Sequence, residues 1–398
     1  MNSPSRSDRF PSIRSQGHAA LSQFSLAPER IHLNHGSYGA VPRAVQAEQD
    51  RLRAHIESDP TTFLGEELPD LMRKMAANVA RQFGGAAQDW VFCENATAAI
   101  NGIIASFSLQ PGDEILTTSH VYGAVRKTMQ LNAERRGARL VIAELPAAVE
   151  SDDRILAAVQ SAFTPRTKLL MIDHISSATA TIFPAARIAA AAKHAGIAVL
   201  VDGAHVPGHL PLDVPSVGAD WYTGNAHKWL FAPRGCGLLW TKPSRQSLTF
   251  PAVLSHGTDE GYTKAFDWIG TRDVTPWLCF EICSEVHAGF GGVELMERNR
   301  RLAAEGAALI AERLETYVTV PASLRGAMAA IPFAPSSKNH DIAKDMRQSL
   351  TGEYGIVAPI YDFAGQIWVR VSAQIYNQLD DYERCSTALI KLRATCLL

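Results

Sequence analysis

IAVLVDGAHVPG, residues 197–208, begins as an apolar run and ends in a turn of small residues, with one carboxylate, Asp202, where the run stops. A strand with no polar face suits a parallel sheet covered on both sides, not a half-exposed antiparallel one. With Ala198–Val201 as the strand of this stretch, similar runs lie at Trp90–Cys93, Glu114–Thr118, Arg139–Ala143, Lys168–Asp173, Trp221–Thr223 and Gly237–Trp240. Ala-rich, helix-favouring segments at 96–108, 121–136, 152–163 and 185–195 separate them. Such alternation, with right-handed crossovers, builds an open α/β sheet with helices on both faces. Ligands in these sheets sit at the carboxyl ends of the strands, so Asp202 stands where a site is expected.

Beyond the sheet region, residues 276–315 read as a long helical stretch broken near Gly289–Gly292. Helix, strand, strand and helix follow at Arg301–Tyr317, Ala327–Phe333, Gln366–Val371 and Asp380–Leu392. The expected division is an N-terminal arm over 1–25, a large α/β domain over 26–275, and a connecting helix with a smaller C-terminal α/β domain over 276–398. The arm is Ser- and Arg-rich, lacks the apolar core of a secretory signal, and reads as frayed and flexible.

Composition narrows the partners. Of 398 residues, 46% are hydrophobic and 20% charged, which calls for a sizeable buried core. The formal net charge is −2, and no basic block tracks a nucleic-acid backbone. No apolar run reaches the roughly 18–20 residues that span a bilayer. The cysteines at 93, 236, 279, 283, 385 and 396 lack the CxxC spacing of a zinc or redox site, a usage that fits a reducing cytoplasm. A small molecule is the partner that remains.

Three segments carry the chemistry. Asp202 at the end of its strand is costly unless it meets a positive group, such as a protonated pyridine nitrogen, and His205 lies three residues on. An Asp capping the turn is the plainer alternative. In TGNAHKWLFAPRGCG, residues 223–237, Lys228 follows another short strand and lies among apolar and aromatic residues. Burial there frees the amine lone pair and makes it a nucleophile; a surface lysine at a strand end is the alternative. Together, Asp202 and Lys228 close successive strands at about the separation that flanks one pyridine ring. In FCENATAAIN, residues 92–101, a strand leads into a helix at Ala96–Thr97, whose N-terminal amides suit a phosphate or a plain N-cap.

In order along the chain, NATAAIN (95–101), TSHVYGAV (118–125), VDGAHVPG (201–208), GNAHKW (224–229), GTRD (270–273) and VRVSAQIYN (369–377) resemble the class V aminotransferase-fold enzymes that depend on pyridoxal 5'-phosphate (PLP). LNHGSYGAVP, residues 33–42, is similar to the opening of the isopenicillin N epimerase-like branch. The resemblance covers roughly residues 30–380. It implies the fold-type-I PLP-dependent transferase architecture: a large mixed, mostly parallel sheet domain with a smaller C-terminal α/β domain. It also implies a homodimer with active sites at the interface.

By the same resemblance, Lys228 is the Schiff-base lysine and proton shuttle, Asp202 the partner of the ring nitrogen and His205 the neighbour of the phenolic oxygen. Tyr122 matches the aromatic stacked on the ring, with His120 a rival. Ala96, Thr97, Asn225 and His227 match phosphate-holding positions, and Thr271 would reach the phosphate of the other subunit. Arg370 matches the arginine that grips the substrate α-carboxylate, while Asn34, His35 and Tyr38 would line the substrate mouth.

One departure is informative. Sulfur-carrying desulfurases need a cysteine shortly before that arginine, and GIVAPIYDFAGQIWVR, residues 355–370, has none. The resemblance therefore implies an amino-acid-type substrate deprotonated at Cα through a substrate aldimine and a carbanion. Epimerase or racemase stands first, then carbon–sulfur β-lyase, then aminotransferase. A PLP-binding regulator without turnover is the alternative of another class, and no DNA-binding extension supports it. His205 and His209 are four apart, but Pro207 and Gly208 between them argue against a helical metal pair, so no metal is expected.

Overall fold

The computed structural model describes residues 15–336 and 341–396. Seven strands form the principal sheet: β1 Trp90–Cys93, β2 Glu114–Thr118, β3 Arg139–Ala143, β4 Thr167–Asp173, β5 Ala198–Gly203, β6 Trp221–Asn225 and β7 Gly237–Thr241, in the order β1-β7-β6-β5-β4-β2-β3. β7 alone runs antiparallel to its neighbours. The expected large, mixed and mostly parallel sheet is thus present.

The unbroken apolar runs have a direct cause. Leu169, Met171, Ala198 and Leu200 face one core, whereas Leu170, Ile172, Val199 and Val201 face the other. Helices α1 Arg43–Ser58, α2 Leu68–Phe83, α3 Ala96–Ser106, α4 Gly123–Arg135, α5 Asp152–Ser161 and α6 Ala185–His194 come from the chain around these strands. α3 and α4 pack against the first core, and α1, α2, α5 and α6 against the second. With both faces sealed, only the strand ends meet solvent or ligand, which confines chemistry to the sheet's edges.

After α7 Phe280–Gly289, the long helix α8 Val293–Arg313 leads to a three-stranded antiparallel sheet. That sheet joins β8 Met328–Pro335, β9 Ile360–Phe363 and β10 Gln366–Ser372 in the order β9-β10-β8. Helices α9 Asp341–Gly352 and α10 Leu379–Cys396 complete this part. It has its own core, centred on Ala307, Ile310, Ile331, Val369 and Leu389. Near the start of the chain, Ile31–His32 pairs in parallel with Ile356–Val357. Ile31 and Leu33 thereby enter this second core.

The N-terminal arm is shorter than the composition suggests. Residues 1–14 lie outside the described residues, but Gly17–Gln23 form a 3-10 helix and Phe24 is fully buried. Phe24 packs against Phe231, Phe290 and Tyr376, so burial of an aromatic anchors what reads in sequence as an unstructured tail.

Candidate active site

The carboxyl ends of β4, β5 and β6 open into a cleft of about 610 Å³, within the range that holds a small-molecule cofactor and substrate. Its walls include Asp173, Asp202, His205, Asn225, His227 and Lys228 from the strand ends and the turns after them. Ala96 and Thr97 come from the first turn of α3, Tyr122 from the turn before α4, and Tyr38 and Arg370 from the opposite side. Residues far apart in sequence thus meet because each sits at a strand end, a helix start or, for Arg370, on β10.

Lys228 is partly buried and lines the cleft, with its Nζ 3.1 Å from His205 Nε2. Burial, reinforced by the Arg370 charge, lowers its pKa to about 7, although Asp202 and Asp173 act in the other direction. The amine is therefore poised between its charged form and the nucleophilic one. Burial and the Lys228 charge hold His205 neutral, and its Nδ1 has no partner. Asp202 accepts the Ala204 N–H at 2.8 Å on Oδ1, and burial still raises its pKa.

At the α3 end, Asn95 caps the helix by accepting the Ala98 N–H at 2.9 Å. Asn225 Oδ1 accepts the Ala96 N–H at 2.8 Å, which leaves its NH2 as the donor available to a ligand. His227 Nδ1 lies 3.1 Å from the Cys236 carbonyl, so this nitrogen carries the proton and Nε2 is bare while the ring is neutral. Burial, then Lys228, lowers its pKa to about 4. A phosphate arriving here would pull a proton onto Nε2.

Arg370 is buried, and its guanidinium is held on both sides. Nη1 donates to the Ser177 carbonyl at 2.7 Å and to Ser177 Oγ at 3.0 Å, and Nη2 donates to Ser37 Oγ at 2.9 Å. Ser37 in turn donates to Asn34 Oδ1 at 2.5 Å. Ser177, Ser37 and Asp173 were not singled out in the sequence, although Ser37 lies inside LNHGSYGAVP and Asp173 ends its strand just as Asp202 does.

Several expected residues stand elsewhere. His120 is fully buried and absent from the cleft wall; its ring nitrogens meet the Pro146 carbonyl at 3.0 Å and Thr179 Oγ1 at 3.1 Å. Of the two rivals, only Tyr122, half exposed, borders the cleft. His35 lies behind the Lys228 backbone, between the Tyr376 hydroxyl at 2.9 Å and the Lys228 carbonyl at 3.0 Å. It does not line the substrate mouth, because both ring nitrogens are tied into the packing. Asn34 reaches the cleft only through Ser37, and Tyr38 is 70% exposed at the rim. Thr271 is exposed and outside the cleft of its own chain. Gly39 explains how this N-terminal segment gets so close: at φ +67°, a Cβ there would lie 2.1 Å from the His227 carbonyl oxygen.

A cofactor with an aldehyde, a basic ring nitrogen, a phenolic oxygen and a phosphate fits these donors. The orphaned His205 Nδ1 and Asp173 Oδ2, the partly buried lysine and the first turn of α3 are polar features that packing alone leaves unanswered. Among the described residues, no group of three or more His, Cys, Asp or Glu could hold a metal ion.

Comparison with known proteins agrees with this geometry. Isopenicillin N epimerase of Streptomyces clavuligerus is 31% identical over 389 residues, covering 93% of this chain and 96% of the relative. A putative L-cysteine desulfhydrase of Oryza sativa subsp. japonica is 30% identical, covering 91% and 83% respectively. Among solved structures, a C-DES variant with glycine linked to its PLP cofactor superposes with a TM-score of 0.79 at 18% identity, over 93% of this chain and 98% of that one. The family model for aminotransferase class V matches residues 39–384. Because that match spans most of the chain, the chain belongs to the class V aminotransferase family.

Proposed function

We propose that the protein is a PLP-dependent enzyme acting at Cα of an amino acid or amino-acid-containing substrate, with epimerisation or racemisation as its reaction. The observation that carries this is a partly buried Lys228 with a lowered pKa sharing one cleft with Asp202, His205 and an anchored Arg370. PLP bound there supplies an electron sink for the pair left at Cα. Lys228 Nζ would hold the cofactor's aldehyde carbon and Asp202 its ring nitrogen, with His205 beside the phenolic oxygen and Tyr122 beside the ring. The first turn of α3, the Asn225 NH2 and a protonated His227 would receive the phosphate. Arg370 would take the substrate carboxylate and so fix how Cα is oriented toward Lys228. Lys228 would move the Cα proton, for which an amine with a pKa of about 7 is well matched at neutral pH.

Relatives named isopenicillin N epimerase favour proton return at Cα, and those named L-cysteine desulfhydrase favour expulsion of a Cβ sulfur as the second reading. Proton NMR of the PLP-loaded protein with a panel of amino acids in heavy water separates the two. Deuterium entering at Cα with the D-isomer accumulating is the expected result. Pyruvate and ammonia would move the assignment to β-elimination, and a keto acid with reduced cofactor would move it to transamination.

A further inference from the structure

Asp173, the last residue of β4, is the in-register neighbour of Asp202 on β5. In-register side chains on neighbouring parallel strands leave the same face, with the strands about 4.8 Å apart. The two carboxyls therefore stand side by side at the sheet's carboxyl edge. Asp173 borders the cleft but is only 3% exposed, and its Oδ2 has no hydrogen-bond partner. Asp202 differs, because the Ala204 amide on Oδ1 favours its charged form.

We propose that Asp173 is a positioning residue of the cofactor site that holds one proton in common with Asp202, confining the site's negative charge to the carboxylate that meets the ring nitrogen. The inference rests on Asp202 being that partner. Two carboxylates this near and this dry do not both ionise without a full cation between them. The groups that act on Asp173 are Asp202 on β5, Lys228 after β6 and the backbone amides of Asp173 and Tyr122. Burial and the Asp202 charge prevail over the amides and Lys228, and push Asp173 well above the usual carboxylate range. Tyr222 of β6, next to Asp202 and bonded to His174 at 2.9 Å, stays neutral and adds no charge. The proton's residence on Asp173 also matters for Lys228. An ionised Asp173 would draw a proton onto the lysine and cost it nucleophilicity.

Infrared difference spectroscopy of the PLP-loaded holoenzyme at neutral pH, wild type against Asp173→Asn, in light and heavy water, tests this. A protonated-carboxyl stretch that shifts in heavy water and is lost in Asp173→Asn is expected. Asp202→Asn should shift the same band, because the neighbouring charge that acts on the proton is gone while burial still holds it on Asp173; this variant decides the matter alone if Asp173→Asn fails to fold. Absence of the band in wild type, its survival in Asp173→Asn, or an unshifted band in Asp202→Asn would each overturn the shared proton. Failure of the cofactor assignment shows separately, as no visible absorbance when PLP is added to wild type, and it would take this inference with it.

Discussion

A lysine partly buried in a cleft has a different acid–base life from one in water, and most of the chemistry proposed here follows from that difference. Lys228 is pulled to about 7 mainly by burial, whereas an ordinary lysine titrates near pH ~10.4. Nucleophilic capture needs the neutral amine, so the rate at which apoprotein captures the PLP aldehyde should rise through pH 7 and then level off. A stopped-flow pH profile checks this; a rate still climbing toward the ordinary lysine pKa would refute the depressed value. Lys228→Ala should bind PLP without the lysine-linked absorbance and lose all exchange at Cα, as absorbance and NMR would report. For Arg370, the bonds to Ser177 and Ser37 fix the fork before substrate arrives. Arg370→Ala should raise KM about 10- to 100-fold for carboxylate-bearing substrates, the equivalent of roughly 1.5–3 kcal/mol for a charged hydrogen-bonded pair. Steady-state kinetics with matched amines lacking the carboxylate should show little change. Lys228, Asp202 and Arg370 were legible in sequence because each lies in a motif. Ser177 lies in none of the motifs, and Ser37, although inside LNHGSYGAVP, was not legible as an anchor, since an anchoring serine has no spacing of its own and is visible only once its arginine is placed.

At the scale of the element, what could be read was whatever the environment makes uniform. Each of the seven principal strands is recoverable as a mostly apolar run, because two cores demand apolar residues along most of the inner strands, although the edge strand β3 is only partly buried; β4, β5, β6 and β7 extend only one or two residues beyond those runs. α1 and α2 leave no such run. Their buried residues, Val45, Gln49 and Leu52 in one and Met72, Met75, Ala76 and Val79 in the other, recur about one turn apart among exposed polar ones. β9 also escapes, since IYDF is short, follows Pro359 and is only half buried. α3 is the element on which the cofactor reading leans, and its first turn is fixed from two directions, by Asn95 on Ala98 and Asn225 on Ala96. Asn95→Ala should lower the stability of the apoprotein by about 1 kcal/mol, the usual worth of an N-cap. Denaturant titration measures it, and an unchanged midpoint would mean that the cap is not holding the turn.

Over the whole molecule, a phosphate end with few donors and a set of exposed apolar residues nearby lead us to expect a second copy of the chain. The walls there offer Ala96, Thr97, Asn225 and His227, all uncharged before a ligand arrives, and the cleft's cations, Lys228 and Arg370, are committed elsewhere. Thr271, which the family resemblance sends to a neighbouring phosphate, is exposed and away from its own cleft. The segment after β7 leaves Leu248, Val253 and Leu254 more than half exposed, while its Phe250–Ala252 backbone packs on Gly102 of α3. Apolar surface grouped beside the phosphate helix is what an isologous interface would cover. We therefore expect two copies in solution, each completing the other's phosphate site. Sedimentation velocity of the holoenzyme should give a dimer, and Val253→Asp with Leu254→Asp should dissociate it by placing charges in a dry contact. The dissociated form should also release PLP faster on dialysis, and Thr271→Ala should do the same to a smaller degree without dissociation. If the wild type runs as a monomer that retains PLP, the phosphate is held by one chain alone, through the first turn of α3, Asn225 and a protonated His227.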